Sequence, residues 1–454
     1  MRNQSTLKID MPVGAKRIIK NLTNHDFEAY VVGGCVRDSL LGYSPKDWDI
    51  CTSATPETVK ELHDHTIDTG LKHGTVSVVE SDGIYEVTTF RIEGKYSDNR
   101  RPDTVEFVTD LKTDLSRRDF TINAMAYNDE NGVIDYFGGL SDLAERKVKC
   151  VGNANTRFSE DALRILRAIR FSSVYGFAIE HDTSEAIHSN AELLQNIANE
   201  RIRDELCKII AFGKTTANTL LEYSDVMSII IPEIAPCIGF VQNNKYHKYD
   251  VYEHMVRAMD AYTGHDPSVK FALLIHDIGK PLCYTEDENR GHFYGHSIPS
   301  HDIAEHVVNR LKFDNKTKDT VLELVLYHDS VIMPTAKAVK KWMNKIGAEK
   351  FSQLLDVKMS DIAAHADNTQ AARIDQYMAV REIFAEVIAS EQCFRLKDLE
   401  INGRDIISLG IKEGKQVGEI LNRLLESVIA GDIDNTRKAL LKCAREIIEK
   451  EVMK

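Results

Sequence analysis

The chain has 454 residues, 43% of them hydrophobic and 28% charged, which is ordinary for a soluble globular protein and enough for about two to four domains. No apolar run approaches the roughly eighteen residues of a membrane span, and the opening MRNQSTLKIDMPVGAKRI lacks the apolar core of a secretion signal. The 8 cysteines are scattered with no CxxC, which excludes a disulfide frame or zinc ribbon and predicts reduced thiols in a cytoplasmic protein.

The net charge of -13 weighs against nucleic-acid binding. The charge is uneven, however. Arg91, Arg100, Arg101, Arg117, Arg118, Arg157, Arg164, Arg167, Arg170, Arg201 and Arg203 crowd the first half, and a basic stripe on an acidic protein can still hold a phosphate backbone.

Residues 13–28 read as an amphipathic helix with Val13, Ile18, Ile19, Leu22 and Phe27 as its apolar positions. Tyr30, Val31 and Val32 read as a buried strand. Gly33 and Gly34 follow at once, and paired glycines permit a tight turn that exposes backbone N–H groups to an anion. Arg37, at the opening of the next helix, is placed to grip phosphate oxygens. Asp47 and Asp49 point to one face if residues 47–51 form a strand, and two adjacent carboxylates call for a cation; hard oxygen ligands in small number suit Mg²⁺. Alone, GG is a turn and DxD a solvated strand end. Together, as GGxVRDxxLG followed by DxD, they resemble the nucleotidyltransferases of the DNA polymerase beta superfamily. Within it the match is to the class II branch, the bacterial CCA-adding tRNA nucleotidyltransferases and poly(A) polymerases.

Thr55 and Pro56 open a further helix as N-cap and first residue. Residues 69–79 and 83–94 alternate in their second halves like a hairpin turning at Asp82-Gly83. Glu86, on the second strand, is a candidate third carboxylate beside Asp47 and Asp49, or else an exposed strand residue. Residues 91–103, RIEGKYSDNRRPD, read as a mobile basic loop leading to a strand at 104–108; in the resembled enzymes such a loop helps switch the incoming nucleotide from C to A. DLSRRDFTINAMAY (114–127) reads as a helix entry with Arg117, Arg118 and Asp119 in its first turn. Arginines there oppose the helix dipole unless an anion such as a triphosphate is near. RRDFTINAM is a signature of the class II family.

Residues 157–171, RFSEDALRILRAIRF, read as one helix with Asp161, Arg164 and Arg167 on a shared face. An i,i+3 salt bridge on a solvated helix explains that spacing. So does base selection: Asp161 accepts from an exocyclic amine and Arg164 donates to the neighbouring ring nitrogen. Cytosine and adenine present that edge; guanine and uracil present its reverse and leave both groups unpaired. The run resembles the family's EDxxR element, and Arg170 continues the face. ERIRDELCKII (200–210) resembles the neck approached by the tRNA acceptor stem.

Residues 245–365 carry a second constellation: His254 in a helix, His276-Asp277 after the apolar helix of FALLIHDIGKP, His296, His328 and Asp361. Mixed imidazole and carboxylate ligands suit a divalent transition metal. The run resembles an HD domain, a helical metal-dependent phosphohydrolase module. Residues 395–454 read as short helices with turns at Asn402-Gly403 and Glu413-Gly414, and resemble the class II tail.

The resemblance spans nearly the whole chain. It implies an α/β polymerase beta-like nucleotidyltransferase head (1–140), then an all-α neck (141–215), HD-like domain (245–365) and tRNA-binding tail (390–454). The implied activity is addition of C, C and A to the tRNA 3′ end from CTP and ATP, releasing diphosphate. Asp47, Asp49 and Glu86 are the implied catalytic carboxylates, the first two holding Mg²⁺; Gly34, Arg37 and Arg118 hold the triphosphate, and Asp161, Arg164, Arg167 and Arg170 select and support the base. Four alternatives stay open: a poly(A) polymerase, against which no GRRF-like stretch follows the DxD segment; an enzyme adding only CC or only A; a phosphohydrolase acting through the HD domain; and a non-catalytic tRNA binder.

Overall fold

The computed structural model describes residues 7–94, 104–288, 290–366, 370–390, 392 and 394–452. Most of the expected basic loop, residues 95–103, therefore lies outside the described residues. The chain divides into two compact units, Met1–Ala235 and Pro236–Lys454.

The first unit is built on a seven-stranded mixed sheet. Its strands are β1 (Ala29–Val32), β2 (Ile50–Thr52), β3 (Thr66–Gly70), β4 (Thr75–Glu80) and β5 (Gly83–Thr89). After a separate small ribbon of β6 (Arg91–Glu93) and β7 (Val105–Phe107), the sheet is completed by β8 (Met125–Asn128) and β9 (Gly132–Asp135), in the order β3-β4-β5-β2-β1-β8-β9. β2 and β5 run parallel with Ile50 opposite Val87 and Thr52 opposite Thr89. The β4–β5 hairpin forms as expected, but Glu80 stands opposite Gly83, so its turn is Ser81-Asp82, one residue before the expected Asp82-Gly83.

The helices of the head are α1 (Val13–Thr23), α2 (Gly34–Leu40), α3 (Pro56–Leu62), α4 (Leu111–Ser116) and α5 (Gly139–Ala144). α1 ends at Thr23, short of Phe27, and its first residue Val13 is exposed; Gly14 and Ala15 join Ile18, Ile19 and Leu22 on the buried side. Thr55 caps α3 by accepting from the Thr58 N–H. Tyr30, Val32, Cys51, Phe90, Leu111 and Leu115 share one buried core, which fixes α4 against the sheet.

The expectation for Arg117 and Arg118 is corrected. α4 starts earlier, where the Asp110 carboxylate caps the Thr113 N–H, so Arg117 is its C-cap. The two arginines therefore follow a helix C-terminus, where the dipole favours them.

The helix expected over 157–171 is two: α6 (Ala154–Glu160) and α7 (Leu163–Tyr175). Asp161 lies in the break with φ −135°, and its side chain accepts from the Leu163 N–H at 3.1 Å. A short acidic side chain offers the backbone an alternative to helical bonding. Asp161 thus starts α7 instead of sharing its face with Arg164. After the ribbon of β10 (Lys147–Val148) and β11 (Ala178–Ile179) come α8 (His181–Asn190), α9 (Asn199–Phe212), α10 (Thr216–Glu222) and α11 (Ser224–Ile230), and α7 packs along α9.

The second unit is helical, with one small ribbon of β12 (Thr285–Asp287) and β13 (Arg290–His292). α12 (Val251–Ala261), α13 (Pro267–Ile275), α14 (Ser297–Arg310), α15 (Asn315–Tyr327), α16 (Ala336–Ile346), α17 (Ala348–Ala363) and α18 (Ala371–Ala389) come first. The apolar α13 is buried among α12, α15 and α17. α19 (Gly403–Ser408), α20 (Lys415–Ala430) and α21 (Arg437–Val452) close over their own core of Ile406, Ile420, Leu424, Leu425 and Leu440.

Candidate functional site

Asp47 and Asp49 do not lie within a strand; β2 begins at Ile50, and they occupy the extended lead-in to it. The Asp49 carbonyl already accepts the Val32 N–H at 3.0 Å. Because Ile50 stands opposite Val87 in a parallel pair, the preceding residues Asp49 and Glu86 are neighbours across the sheet. Both turn away from the buried side that Ile50 and Val87 share. Protein atoms crowding Asp49 raise its carboxyl above the ordinary range; Arg118 opposes this, and Glu86 and Asp47 add to it. Two strands and a lead-in thus hold three carboxylates whose repulsion Arg118 answers only in part.

Arg118 is placed by the glycine turn. Gly33 has φ +83° and ψ −127°, a conformation that side chains resist, and a Cβ there would meet Arg118 Nη1 at 3.0 Å. Asp114, fully buried, holds Arg117 at 2.8 Å and Arg118 at 3.6 Å, while Glu93 on β6 holds Arg91 and Arg117.

Beside the carboxylates lies a cleft of about 690 Å³, lined by Gly34, Arg37, Asp47, Asp49 and Arg170 among others. Its lining also carries cationic and aromatic side chains: Lys46, Lys208 and Lys214 with Tyr43, Tyr175 and Phe212. Lys214 Nζ donates to Tyr43 Oη at 3.0 Å.

Arg37 lines this cleft, yet its guanidinium is already engaged. It pairs with Asp38 at 2.9 Å, donates to Asn123 Oδ1 at 2.5 Å, and lies over the rings of Phe171 and Tyr175. Arg167 and Arg170 also lie over Phe171, so three guanidiniums share one ring. Their mutual repulsion is balanced by Asp119, which accepts from Arg167 Nε at 2.7 Å, and Glu205, which accepts from Arg170 Nε at 2.6 Å.

The Arg164 N–H donates to the Asp161 carbonyl at 3.0 Å, but the two side chains have other partners. Asp161 Oδ2 faces Arg201 at 3.4 Å. Arg164, buried, donates to Glu160 at 2.8 Å and to the carbonyls of Arg157 and Arg117 at 3.3 and 3.2 Å. The Arg117 contact sets Arg164 beside the segment whose next residue, Arg118, faces Asp49.

Three family models match the chain: the "Poly A polymerase head domain" over residues 29–149, the "Probable RNA and SrmB- binding site of polymerase A" over 176–238, and the tRNA nucleotidyltransferase domain 2 over 296–444. A relative named CCA-adding enzyme, from Ligilactobacillus salivarius, is 34% identical over 449 residues, covering 96% of both chains. The chain belongs to the CCA-adding enzyme family. A second relative of that name, from Lactobacillus delbrueckii subsp. bulgaricus, is 35% identical and covers 94% of this chain and 96% of its own. Among solved structures, the Bacillus stearothermophilus CCA-adding enzyme in complex with CTP is similar with TM-score 0.72 at 30% identity, covering 97% and 98% of the two chains. The Thermotoga maritima CCA-adding enzyme complexed with tRNA shares the fold at TM-score 0.59 and 22% identity, covering 98% of each chain.

In this family member, the sequence reading missed the pairing of the arginines with Asp38, Asp119, Asn123, Glu160 and Glu205, and that of Asp161 with Arg201. Asp119 and Asn123 stood inside the RRDFTINAM segment, and their spacing of four was the available signal. Asp119 is buried, which disfavours its charge, but Arg167 and the Asn123 amide hold its carboxyl down to about 2.

In the second unit the six expected residues converge. His254 Nε2 lies 3.0 Å from Asp361 Oδ1 and 3.3 Å from Asp277 Oδ2, and His276 Nε2 lies 3.2 Å from Asp277 Oδ2. His296 and His328 reach Asp277 Oδ1 at 3.0 and 3.4 Å. All six are buried, beside a cavity of about 410 Å³. His276 and His328 follow the last turns of α13 and α15, and His296 precedes α14, so three helix ends aim imidazoles at one point. Burial opposes charge on His276, but Asp277 and Asp361 push it up to about 10; the cluster asks for positive charge.

One contact in the cluster is specific. His296 and His328 each donate Nδ1–H to a backbone carbonyl, Phe293 and Val325, at 2.8 and 2.6 Å. Their neutral forms therefore carry lone pairs on Nε2, and the two Nε2 atoms face each other at 3.0 Å. Such a pair needs a proton or a metal ion between them. Lys280, against Asp277 at 2.6 Å, and the buried Lys358, donating to the His328 carbonyl at 2.6 Å, were not anticipated. Nor were His247 and His365, which join His254.

Proposed function

We propose that this chain is a tRNA nucleotidyltransferase that adds C, C and A to the tRNA 3′ end from CTP and ATP, releasing diphosphate without a nucleic-acid template. The observation that carries the reading is the placement of Asp49 beside Glu86 by the β2–β5 register, facing Arg118, at the mouth of the cationic cleft. Family membership supports it. Enzymes of this family use a divalent metal, generally Mg²⁺, and an Asp49 carboxyl raised by burial, with Glu86 and Asp47 adding to it, fits a hard cation. Asp47 and Asp49 hold it, with Glu86 as the third carboxylate. When bound, the metal acidifies the tRNA 3′-hydroxyl and neutralises the leaving diphosphate.

Gly34 and Arg118 cradle the triphosphate, and Arg37 exchanges its Asp38 pairing for phosphate oxygens. Asp161 and Arg164 read the amine-plus-acceptor edge of cytosine or adenine, leaving Arg201 and Glu160 to do so. Arg167 and Arg170 brace them through Asp119 and Glu205. The tRNA lies along the neck, 141–215, and the tail, 390–454, recognised by shape and backbone, with its 3′ end on the wall of Tyr43, Lys208, Phe212 and Lys214. The protein acts in the cytoplasm, in keeping with its buried free thiols at Cys35, Cys51, Cys150 and Cys237.

The test is incubation with tRNA lacking its 3′ end, Mg²⁺, and labelled CTP and ATP singly and together. Two additions from CTP and a third only with ATP are expected. Unlimited growth identifies a poly(A) polymerase, arrest after CC or dependence on a CC end a partial enzyme, and no incorporation a tRNA binder.

The facing Nε2 atoms of His296 and His328 favour a second reading for residues 245–365: an HD-type metal-dependent phosphohydrolase. His254, His276, Asp277 and Asp361 form one ligand set, with His296 and His328 completing it around Asp277. Imidazole with carboxylate fits a divalent transition metal. Hydrolysis of p-nitrophenyl phosphate esters with Ni²⁺ or Mn²⁺, abolished in Asp277→Ala, supports this reading; no metal-dependent hydrolysis rejects it.

A further inference from the structure

Four histidines of the second unit share one device. His276, His296, His328 and His365 each donate Nδ1–H to a carbonyl three or four residues earlier, those of Leu273, Phe293, Val325 and Asp361, at 2.7, 2.8, 2.6 and 2.9 Å. That bond fixes the tautomer and leaves Nε2 as the ligating nitrogen.

His254 departs from the pattern. Its Nε2 lies 3.0 Å from the Asp361 carboxylate, while its Nδ1, fully buried, has no hydrogen-bond partner among the described residues. His247 Nδ1 is likewise buried without a partner. The rings of His247, His254 and His365 are mutual neighbours, with centroids 5.0, 4.6 and 5.1 Å apart. One ring nitrogen from each lies within 4.8 Å of the other two. The chain holds them there: the Ala366 N–H donates to the Tyr246 carbonyl at 2.8 Å, clamping the segment before α12 to the end of α17.

We propose that His247, His254 and His365 form a three-imidazole binding site for a divalent transition metal, next to the histidine–aspartate cluster and distinct from it. When His254 donates Nε2–H to Asp361, its lone pair sits on Nδ1, the orphaned atom, and a metal ion satisfies it. Carboxylate–histidine–metal chains of this kind orient ligands and raise their basicity. Three nitrogen donors without thiolate or carboxylate select Zn²⁺, Co²⁺, Ni²⁺ or Cu²⁺ over Mg²⁺ or Ca²⁺, and leave a fourth position open. His247 and His365 both line the cavity, where Arg373 Nη1 stands 3.5 Å from His365; an anionic oxygen entering there reaches the fourth position. The site touches the reading of the adjacent cluster only at His254: with Nε2–H kept on Asp361, His254 ligates here through Nδ1, and the neighbouring centre is left with His276, Asp277, His296, His328 and Asp361.

The test is Co²⁺ and Zn²⁺ titration of chelator-treated full-length protein, counting tightly held metal after gel filtration and recording the Co²⁺ visible spectrum. The variants are His247→Gln, His365→Gln and Asp277→Asn, each checked for fold by circular dichroism. His247→Gln and His365→Gln are each expected to lose one molar equivalent and the intense absorption of low-coordinate Co²⁺, and Asp277→Asn to keep that absorption and the equivalent that gives it, whatever it loses at the neighbouring centre. Wild-type stoichiometry and spectrum in both histidine variants overturn the site. Loss in Asp277→Asn alone overturns it too while leaving the neighbouring centre standing, and retention of only weakly held, adventitious metal by the wild type overturns both.

Discussion

Asp119 accepts the Nε–H of Arg167 at 2.7 Å, joining the head to α7 across 48 positions of sequence. Its other oxygen accepts from the Asn123 amide at 3.0 Å, and Asn123 in turn accepts from Arg37. One buried carboxylate therefore orders two of the arginines that border the cleft. Its carboxyl is held at about 2 against an ordinary 3.8, which corresponds to about 2 kcal/mol of stability. Because the folded value is the lower one, this contribution is complete above about pH 4 and is lost as pH falls towards 2. Asp119→Asn is expected to destabilise the protein by about 2 kcal/mol in urea unfolding at pH 7, with the difference from wild type shrinking below pH 4.

Asp49 and Glu86 are neighbours by strand register, so their effects are coupled. Asp49→Ala is expected to slow CMP incorporation by more than about 100-fold, in the range lost when a preorganised charge is removed from a transition state. tRNA affinity, measured by gel shift, is expected to hold. Activity within tenfold of wild type argues that the metal sits elsewhere.

Arg164 enters the base-selecting role only by leaving Glu160. Arg164→Ala is expected to cut discrimination against GTP and UTP by about 10–100-fold, because the mismatched edge no longer strands a buried guanidinium. Single-nucleotide incorporation with each of the four triphosphates reads this out; unchanged selectivity removes Arg164 from the role.

Gly33 sits at φ +83° against Arg118. Gly33→Ala is expected to lower stability by about 1–3 kcal/mol and, by displacing Arg118, to raise the KM for CTP more than it lowers kcat. Thermal melts and steady-state kinetics check both.

Much of the head was legible because its chemistry is local. The Gly33-Gly34 turn and the Thr55-Pro56 cap each need particular residues at particular positions, and the β4–β5 hairpin was found to within one residue of its turn. What failed was decided by competition between neighbours. Residues 157–171 contain no glycine or proline, and the break at Asp161 arises from one carboxylate capping the Leu163 N–H. Arg117 and Arg118 looked like a helix start because Asp114 resembles a cap; the operating cap is Asp110, four residues earlier. The partners of the arginines are long-range, and no local period reveals them. In the second unit, His365 stood four residues after Asp361, a helical spacing that signals a shared face, whereas His247 lies in a polar loop with no period to mark it.

The most direct measurement of the central claim is a crystal structure of the protein with CTP and Mg²⁺. The triphosphate is expected against Asp47, Asp49 and Arg118 and the cytosine edge against Asp161 and Arg164. A nucleotide bound with its base remote from Asp161 and Arg164, or its phosphates remote from Asp47 and Asp49, contradicts it.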